Sequence, residues 1–105
     1  MYVQVITYKI GEVSDADFNE ANQGFAEAMR EVPGLISKVW LKSDNELGSY
    51  GGVYLWRDKE SCDAFLNGEL LGEVRADDSV RELTTREFTV NEVMTKITQP
   101  VLQII

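Results

Sequence analysis

The stretch from Glu31 to Trp56 constrains this chain more than any other. Pro33-Gly34 ends whatever precedes it, because proline excludes a helical conformation for Val32 and glycine opens a turn. Two short runs rich in β-branched and aromatic residues follow, Leu35 to Leu41 and Gly52 to Trp56. Such runs read as strands. The polar segment Ser43-Asp44-Asn45-Glu46-Leu47-Gly48-Ser49 between them reads as a hairpin loop. Both tryptophans, Trp40 and Trp56, sit on this hairpin. Gly51-Gly52 at its return implies a bulge or a close backbone approach. No phosphate-binding glycine spacing surrounds the pair.

The rest of the chain arranges itself around the hairpin. Tyr2 to Ile10 alternates and is β-rich, a first strand that Gly11 ends. Ser14-x-x-Asp17 fits the capping pattern that opens a helix. Phe18, Ala21, Phe25, Ala28, Met29 and Val32 then recur at spacings of three and four, one apolar helix face. Gly24 inside this helix costs about 1 kcal/mol relative to alanine, which implies a neighbour packed closely against it. Asp58 is the expected N-cap of a second helix, with Cys62, Phe65 and Leu66 on its inner side. Asn67-Gly68 breaks that helix, and Glu69 to Ala76 resumes as another. Leu83 to Val90 is a fourth, more polar strand. Asn91 to Ile105 is an apolar tail carrying Val93, Met94, Ile97, Val101, Leu102, Ile104 and Ile105, broken at Pro100.

Strand, helix, strand, strand, helix, strand is the βαββαβ order of a ferredoxin-like α+β fold, an antiparallel sheet with helices on one face. With 105 residues, the whole of 1–105 is one domain. A one-sided sheet should alternate apolar and polar residues, and these strands do not. Val53 and Leu55 oppose Tyr54 and Trp56; Val39 and Leu41 oppose Trp40; Val3 and Val5 oppose Ile6 and Tyr8. Helices cover one face. A second copy of the chain is the expected cover for the other, with the tail at 91–105 packing on the partner subunit. On the helix side, Tyr54, Trp56, Trp40 and Tyr8 then face Phe25, Met29 and Phe65. Such residues fill a core or surround an apolar pocket.

Charge and cysteine content narrow the chemistry. The net charge is -8 and histidine is absent. So acidic a chain repels phosphate backbones and anionic membrane surfaces, which argues against nucleic-acid and membrane partners. No apolar run is long enough to span a bilayer and no basic signal start is present, so a cytoplasmic location is expected. Cys62 is the single cysteine and falls at helical spacing with Phe65 and Leu66, a small core side chain. The usual zinc, copper and haem-iron ligand sets cannot be assembled without histidine and with one cysteine; a carboxylate-only magnesium or calcium site stays formally open, but Asp77-Asp78 and Asp15-x-Asp17 are too short and ordinary to argue for one.

Four pieces of the chain, Glu31-x-Pro33-Gly34, Lys38-Val39-Trp40, Gly51-Gly52-x-Tyr54-Leu55 and Phe88-x-Val90-Asn91-Glu92, together resemble the YdhR family of putative mono-oxygenases. The likeness runs from the first strand to the tail. It implies a dimeric α+β barrel, a homodimer of ferredoxin-like subunits with a mostly apolar pocket between sheet and helices. The family is related to the antibiotic-biosynthesis mono-oxygenases. Leu55-Trp56-Arg57, Ser61 and Phe65-Leu66 resemble haem-degrading members of the same group, whose third-strand tryptophan lines the pocket. That likeness makes Trp56 the leading candidate pocket residue. The haem-ligating histidine of those enzymes has no counterpart here.

The resemblance implies a cofactor-independent mono-oxygenase acting on a small flat aromatic of phenol, hydroquinone or anthrone type. The ionised substrate would itself pass an electron to oxygen, while the protein binds the ring and excludes water. Trp40, Tyr54 and Trp56 would supply stacking surfaces. The hydroxyls of Tyr8 and Tyr54 and the amide of Asn22 would hydrogen-bond substrate oxygens. Asn22 is equally placed to be an exposed helix residue. No residue stands out as a general base. A non-catalytic small-molecule-binding or stress-response dimer of the same fold is the alternative. Isomerase or lyase chemistry ranks third, because it calls for a histidine or a poised carboxylate.

Overall fold

The computed structural model describes residues 1–98. Four strands, β1 (Tyr2–Lys9), β2 (Leu35–Lys42), β3 (Ser49–Trp56) and β4 (Arg81–Thr89), form one antiparallel sheet in the order β2-β3-β1-β4. Helix α1 (Asp15–Met29) joins β1 to β2, while α2 (Lys59–Leu66) and α3 (Glu69–Ala76) join β3 to β4. This is the expected ferredoxin-like arrangement. A short helix, α4 (Glu92–Ile97), follows β4. It forms the first part of the apolar tail, for which the sequence reading names no helix. Asn91 explains it, since its side chain accepts the Met94 N–H at 3.1 Å and caps the turn. The break at Pro100 and the apolar positions Val101, Leu102, Ile104 and Ile105 lie outside the described residues.

The helix starts follow their capping residues. Ser14 accepts the Asp17 N–H at 3.1 Å, and Asp58 accepts the Ser61 N–H at 2.8 Å. Gly34 adopts φ +83°, and a Cβ there would collide with the Ser61 side chain, so the Pro33-Gly34 turn needs its glycine. Gly24 departs from expectation. It faces solvent, and no atom lies within 4 Å of where its Cβ would be, so no neighbour packs on it.

Register decides what the sheet presents to the helices. Gln4, Ile6 and Tyr8 of β1 lie opposite Tyr54, Gly52 and Tyr50 of β3, all on the helix side. Strand β2 contains a bulge: Leu35 lies opposite Trp56 and Ser37 opposite Leu55, so Ile36 is the extra residue. The bulge reverses the phase of the strand. Leu35 faces the helices, and beyond the bulge so do Lys38 and Trp40, which lie opposite Tyr54 and Gly52. Without it, Val39 and Leu41 would point inward and Trp40 outward. The Gly51-Gly52 pair marks a close approach rather than a bulge, since a Cβ on Gly51 would strike the Ile6 carbonyl. A second irregularity sets one extra β4 residue opposite Tyr8, beside Glu82 at φ +52°.

The core consists of Ile6, Met29, Tyr54, Trp56, Cys62, Phe65 and Leu71. The opposite face of the sheet carries Val3, Val5, Val53 and Leu55 in the middle, with Val39, Leu41 and Phe88 exposed toward the edges. Val93, Met94 and Ile97 of α4 are exposed as well. Both faces are therefore apolar, as the strand pattern implied.

Candidate functional site

A partly enclosed cavity of about 220 Å³ opens between the sheet, α1 and α3. The sheet contributes Ile6 and Tyr8, then Lys38 and Trp40, then Tyr54, with Ile10 just past the end of β1. Helix α1 contributes Ala21, Asn22 and Phe25. Leu71 and Val74 of α3 close one side, and Asp77, Ser79 and Val80 follow in the loop to β4. α1 meets the sheet through aromatic contacts of two kinds: Phe18 stacks flat on Tyr50 of β3, ring centres 4.4 Å apart. Phe18 and Phe25 each stand edge-on to Trp40, with ring centres 6.1 and 6.3 Å apart. Edge-to-face pairs at this separation are favourable contacts.

Five of the eight residues singled out from sequence line this cavity: Tyr8, Asn22, Phe25, Trp40 and Tyr54. Trp56, Met29 and Phe65 do not; all three are core residues. Trp56 is fully buried, lies parallel to Tyr54 at 6.2 Å, and packs against Phe65 at 5.3 Å. Its indole N–H donates to Gln4 Oε1 at 3.2 Å, and Gln4 Nε2 donates to Glu87 at 3.1 Å. The indole is thus held in place by a buried polar relay that the strand pattern did not reveal. Asn22 donates one amide N–H back to the Phe18 carbonyl at 2.9 Å, which leaves its Oδ1 and second N–H. Cys62 is buried and its thiol is pushed up to about 11 by desolvation, so it is no nucleophile at neutral pH.

Lys38 is the feature that sequence reasoning missed. Its Nζ lies 3.5 Å from the centre of the Trp40 ring, 4.7 Å from Tyr54 and 4.9 Å from Phe25. Among the described residues it makes no ion pair and no side-chain hydrogen bond, and its Nζ is not sealed from solvent. Gly52 makes room for it, since a Cβ there would stand 2.9 Å from Lys38 Cε and 3.2 Å from the Tyr54 ring. Burial lowers the ammonium to about 7, while the three ring faces favour the charged form. The signal was in the strand: Lys38 is two residues before Trp40 and shares its face.

The other titratable groups of the cavity are quiet near neutrality. Burial, with a smaller contribution from Tyr50, raises the Tyr8 hydroxyl above its ordinary value. Burial, with a smaller contribution from Tyr8, raises Tyr54 further. Both are neutral phenols that can donate or accept. Hydrogen bonds from the Ser79 hydroxyl and N–H hold the Asp77 carboxyl below its usual range.

The fold is shared with solved oxygenases. A structure described as a putative antibiotic biosynthesis monooxygenase from Deinococcus radiodurans superposes with TM-score 0.67 at 13% identity, covering 88% of this chain and 94% of that one. SnoaB, a cofactor-independent oxygenase from Streptomyces nogalater, superposes with TM-score 0.66 at 18% identity, covering 86% and 92%. The heme-degrader MhuD from Mycobacterium tuberculosis, with two hemes bound in its active site, gives TM-score 0.58 at 23% identity over 87% and 96%. No curated protein sequence matches the chain significantly. No helix among the described residues is long and apolar enough to cross a membrane. The family described as "Putative mono-oxygenase ydhR" matches residues 3–101, and the chain belongs to that family.

Proposed function

We propose that this protein is a cofactor-independent mono-oxygenase of small flat phenols, hydroquinones or anthrones, bound between α1 and the sheet. The observation that carries the reading is the cavity wall: Tyr8, Phe25, Trp40 and Tyr54 bring four rings to a space that Asn22, Lys38, Asp77 and Ser79 also line. Rings of this kind bind a flat aromatic by stacking and exclude water from it. The volume of about 220 Å³ lies below the ~300–1,000 Å³ of typical drug-sized sites, which favours one- or two-ring substrates over three-ring anthrones. Oxygenation of a hydroquinone needs no external reductant. The ring gains one oxygen atom and loses two hydrogens, giving a hydroxyquinone, and the second oxygen atom leaves as water. Tyr8, Tyr54 and the free part of the Asn22 amide are the groups that would meet substrate oxygens. Trp56, Met29 and Phe65 would hold the floor beneath them.

In this reading the protein works as a homodimer. The apolar outer sheet face and the exposed Phe88, Val93, Met94 and Ile97 are what a self-complementary interface would cover. A charged substitution at the centre of that face, Val53→Asp, should give monomers by sedimentation. A wild-type monomer at micromolar concentration would remove the dimer from the reading.

Oxygen uptake tests the activity. Chelator-treated protein is supplied with a panel of hydroquinones, naphthols and anthrones. Protein-dependent uptake that is greatest with the smaller rings, and that Trp40→Ala abolishes, is the expected result. Thermal stabilisation by the same compounds with no uptake would favour the binding-only alternative, a reading to which the engagement of Asn22 with its own helix already gives some weight.

A further inference from the structure

We propose that Lys38 ionises the substrate: its neutral amine takes the proton of the ring hydroxyl, and the ammonium so formed stays against the resulting anion. The proposal rests on the reading of the cavity as a phenol site and adds the group that reading lacks. In the step, the substrate O–H bond breaks, the proton passes to Nζ, and the electron pair stays on oxygen as phenolate. The anion can then give an electron to dioxygen.

Three observations converge on Lys38. It lines the cavity, so its nitrogen and the bound ring share one space. Its Nζ has no carboxylate partner among the described residues, so its donors are free for a ligand that enters from solvent. It lies between the faces of Phe25, Trp40 and Tyr54, which stabilise the cation once it has formed. Amine and ammonium are therefore both accessible near neutrality, as a proton acceptor requires. The other titratable groups facing the cavity do not compete. Tyr8 from β1 and Tyr54 from β3 are held protonated, Asp77 after α3 is held ionised, and the lining residues of α1 have no titratable group.

The test uses a nitronaphthol, whose phenol and phenolate absorb at different wavelengths, titrated with pH while bound to the full chain. Binding is measured separately by equilibrium dialysis. Wild type should lower the apparent pKa of the bound hydroxyl by at least one unit, a tenfold shift. Lys38→Met should bind the neutral ring and lose the shift. Lys38→Arg, a permanent cation, should keep the shift yet slow oxygen uptake, its acid limb now following the ionisation of the bound hydroxyl, whose proton must pass to solvent because the guanidinium has no neutral form to accept it. If the probe binds wild type without a shift, or the shift persists in Lys38→Met, the role of Lys38 is overturned and the cavity reading stands. If the probe binds neither protein, the cavity reading falls and this proposal with it.

Discussion

The helix-facing side of the sheet ends in two different ways. At one end Tyr54 and Trp56 lie parallel within 3°, Phe65 leans on both, and Trp56 and Cys62 are fully buried, with Tyr54 and Leu71 forming the boundary to the cavity. At the other end Trp40 meets Phe18 and Phe25 edge-on, Lys38 lies across its face, and a cavity remains. The residue types are nearly the same, so aromatic content does not decide which end closes. Position in the sheet does. Trp56 is on β3, an interior strand with α2 packed over it, whereas Trp40 is on the edge strand β2, met by Phe18 and Phe25 of α1 edge-on and by Lys38 across its face.

Trp56→Ala is the hardest test of that contrast. If the Trp56 end is core, deletion of the indole should cost about 3–5 kcal/mol in urea denaturation. Trp40→Ala should cost much less and abolish ligand binding. Unchanged stability with lost binding in Trp56→Ala would reverse the two ends.

Gln4→Ala probes the relay that holds Trp56. Gln4 is fully buried and bridges the indole N–H to Glu87. Its loss leaves that N–H unpaired, a cost of about 1–3 kcal/mol, with no change in ligand affinity. A loss of affinity instead would mean that the two ends are coupled through Tyr54.

How much of this was legible in the chain follows from the same contrast. Strand and helix order came from local signals that acted locally: Ser14 and Asp58 cap where they stand, and Pro33-Gly34 turns where it stands. The inward direction of Trp40 was read correctly from the two-faced strand. Lys38 shares that direction, but a charged residue among apolar ones reads as solvent-exposed until three rings are seen around it. The choice between the tryptophans was not legible, because edge and interior strands have the same local pattern. The bulge at Ile36, which sets the phase of β2, follows from pairing with β3 and leaves no mark in composition.

Lys38 gives the cavity end a pH signature that the closed end lacks. Its folded value lies below its unfolded one, so above about pH 7 the folded chain has released a proton that the unfolded chain keeps. Stability therefore rises with pH between about 7 and the ordinary lysine value, and this contribution is flat below 7. Full differential binding of one proton would give about 1.4 kcal/mol per pH unit; partial solvent access and the ring faces reduce that to a fraction. Denaturation curves at pH 7 and pH 9 should show the rise in wild type and not in Lys38→Met. Equal curves would mean that Lys38 keeps its ordinary value in the cavity.

Two glycines provide the mildest test. Gly24 faces solvent in mid-helix with nothing within 4 Å of a new Cβ, so Gly24→Ala should stabilise the chain by about 0.5–1 kcal/mol through helix propensity alone. Ligand affinity should not change. Gly52 lies under Lys38 and Tyr54, and Gly52→Ala should displace both and weaken binding at little cost to the closed end. If Gly24→Ala instead destabilises the protein, another surface covers that side of α1 in solution. If Gly52→Ala leaves binding intact, the ligand does not depend on where Lys38 lies.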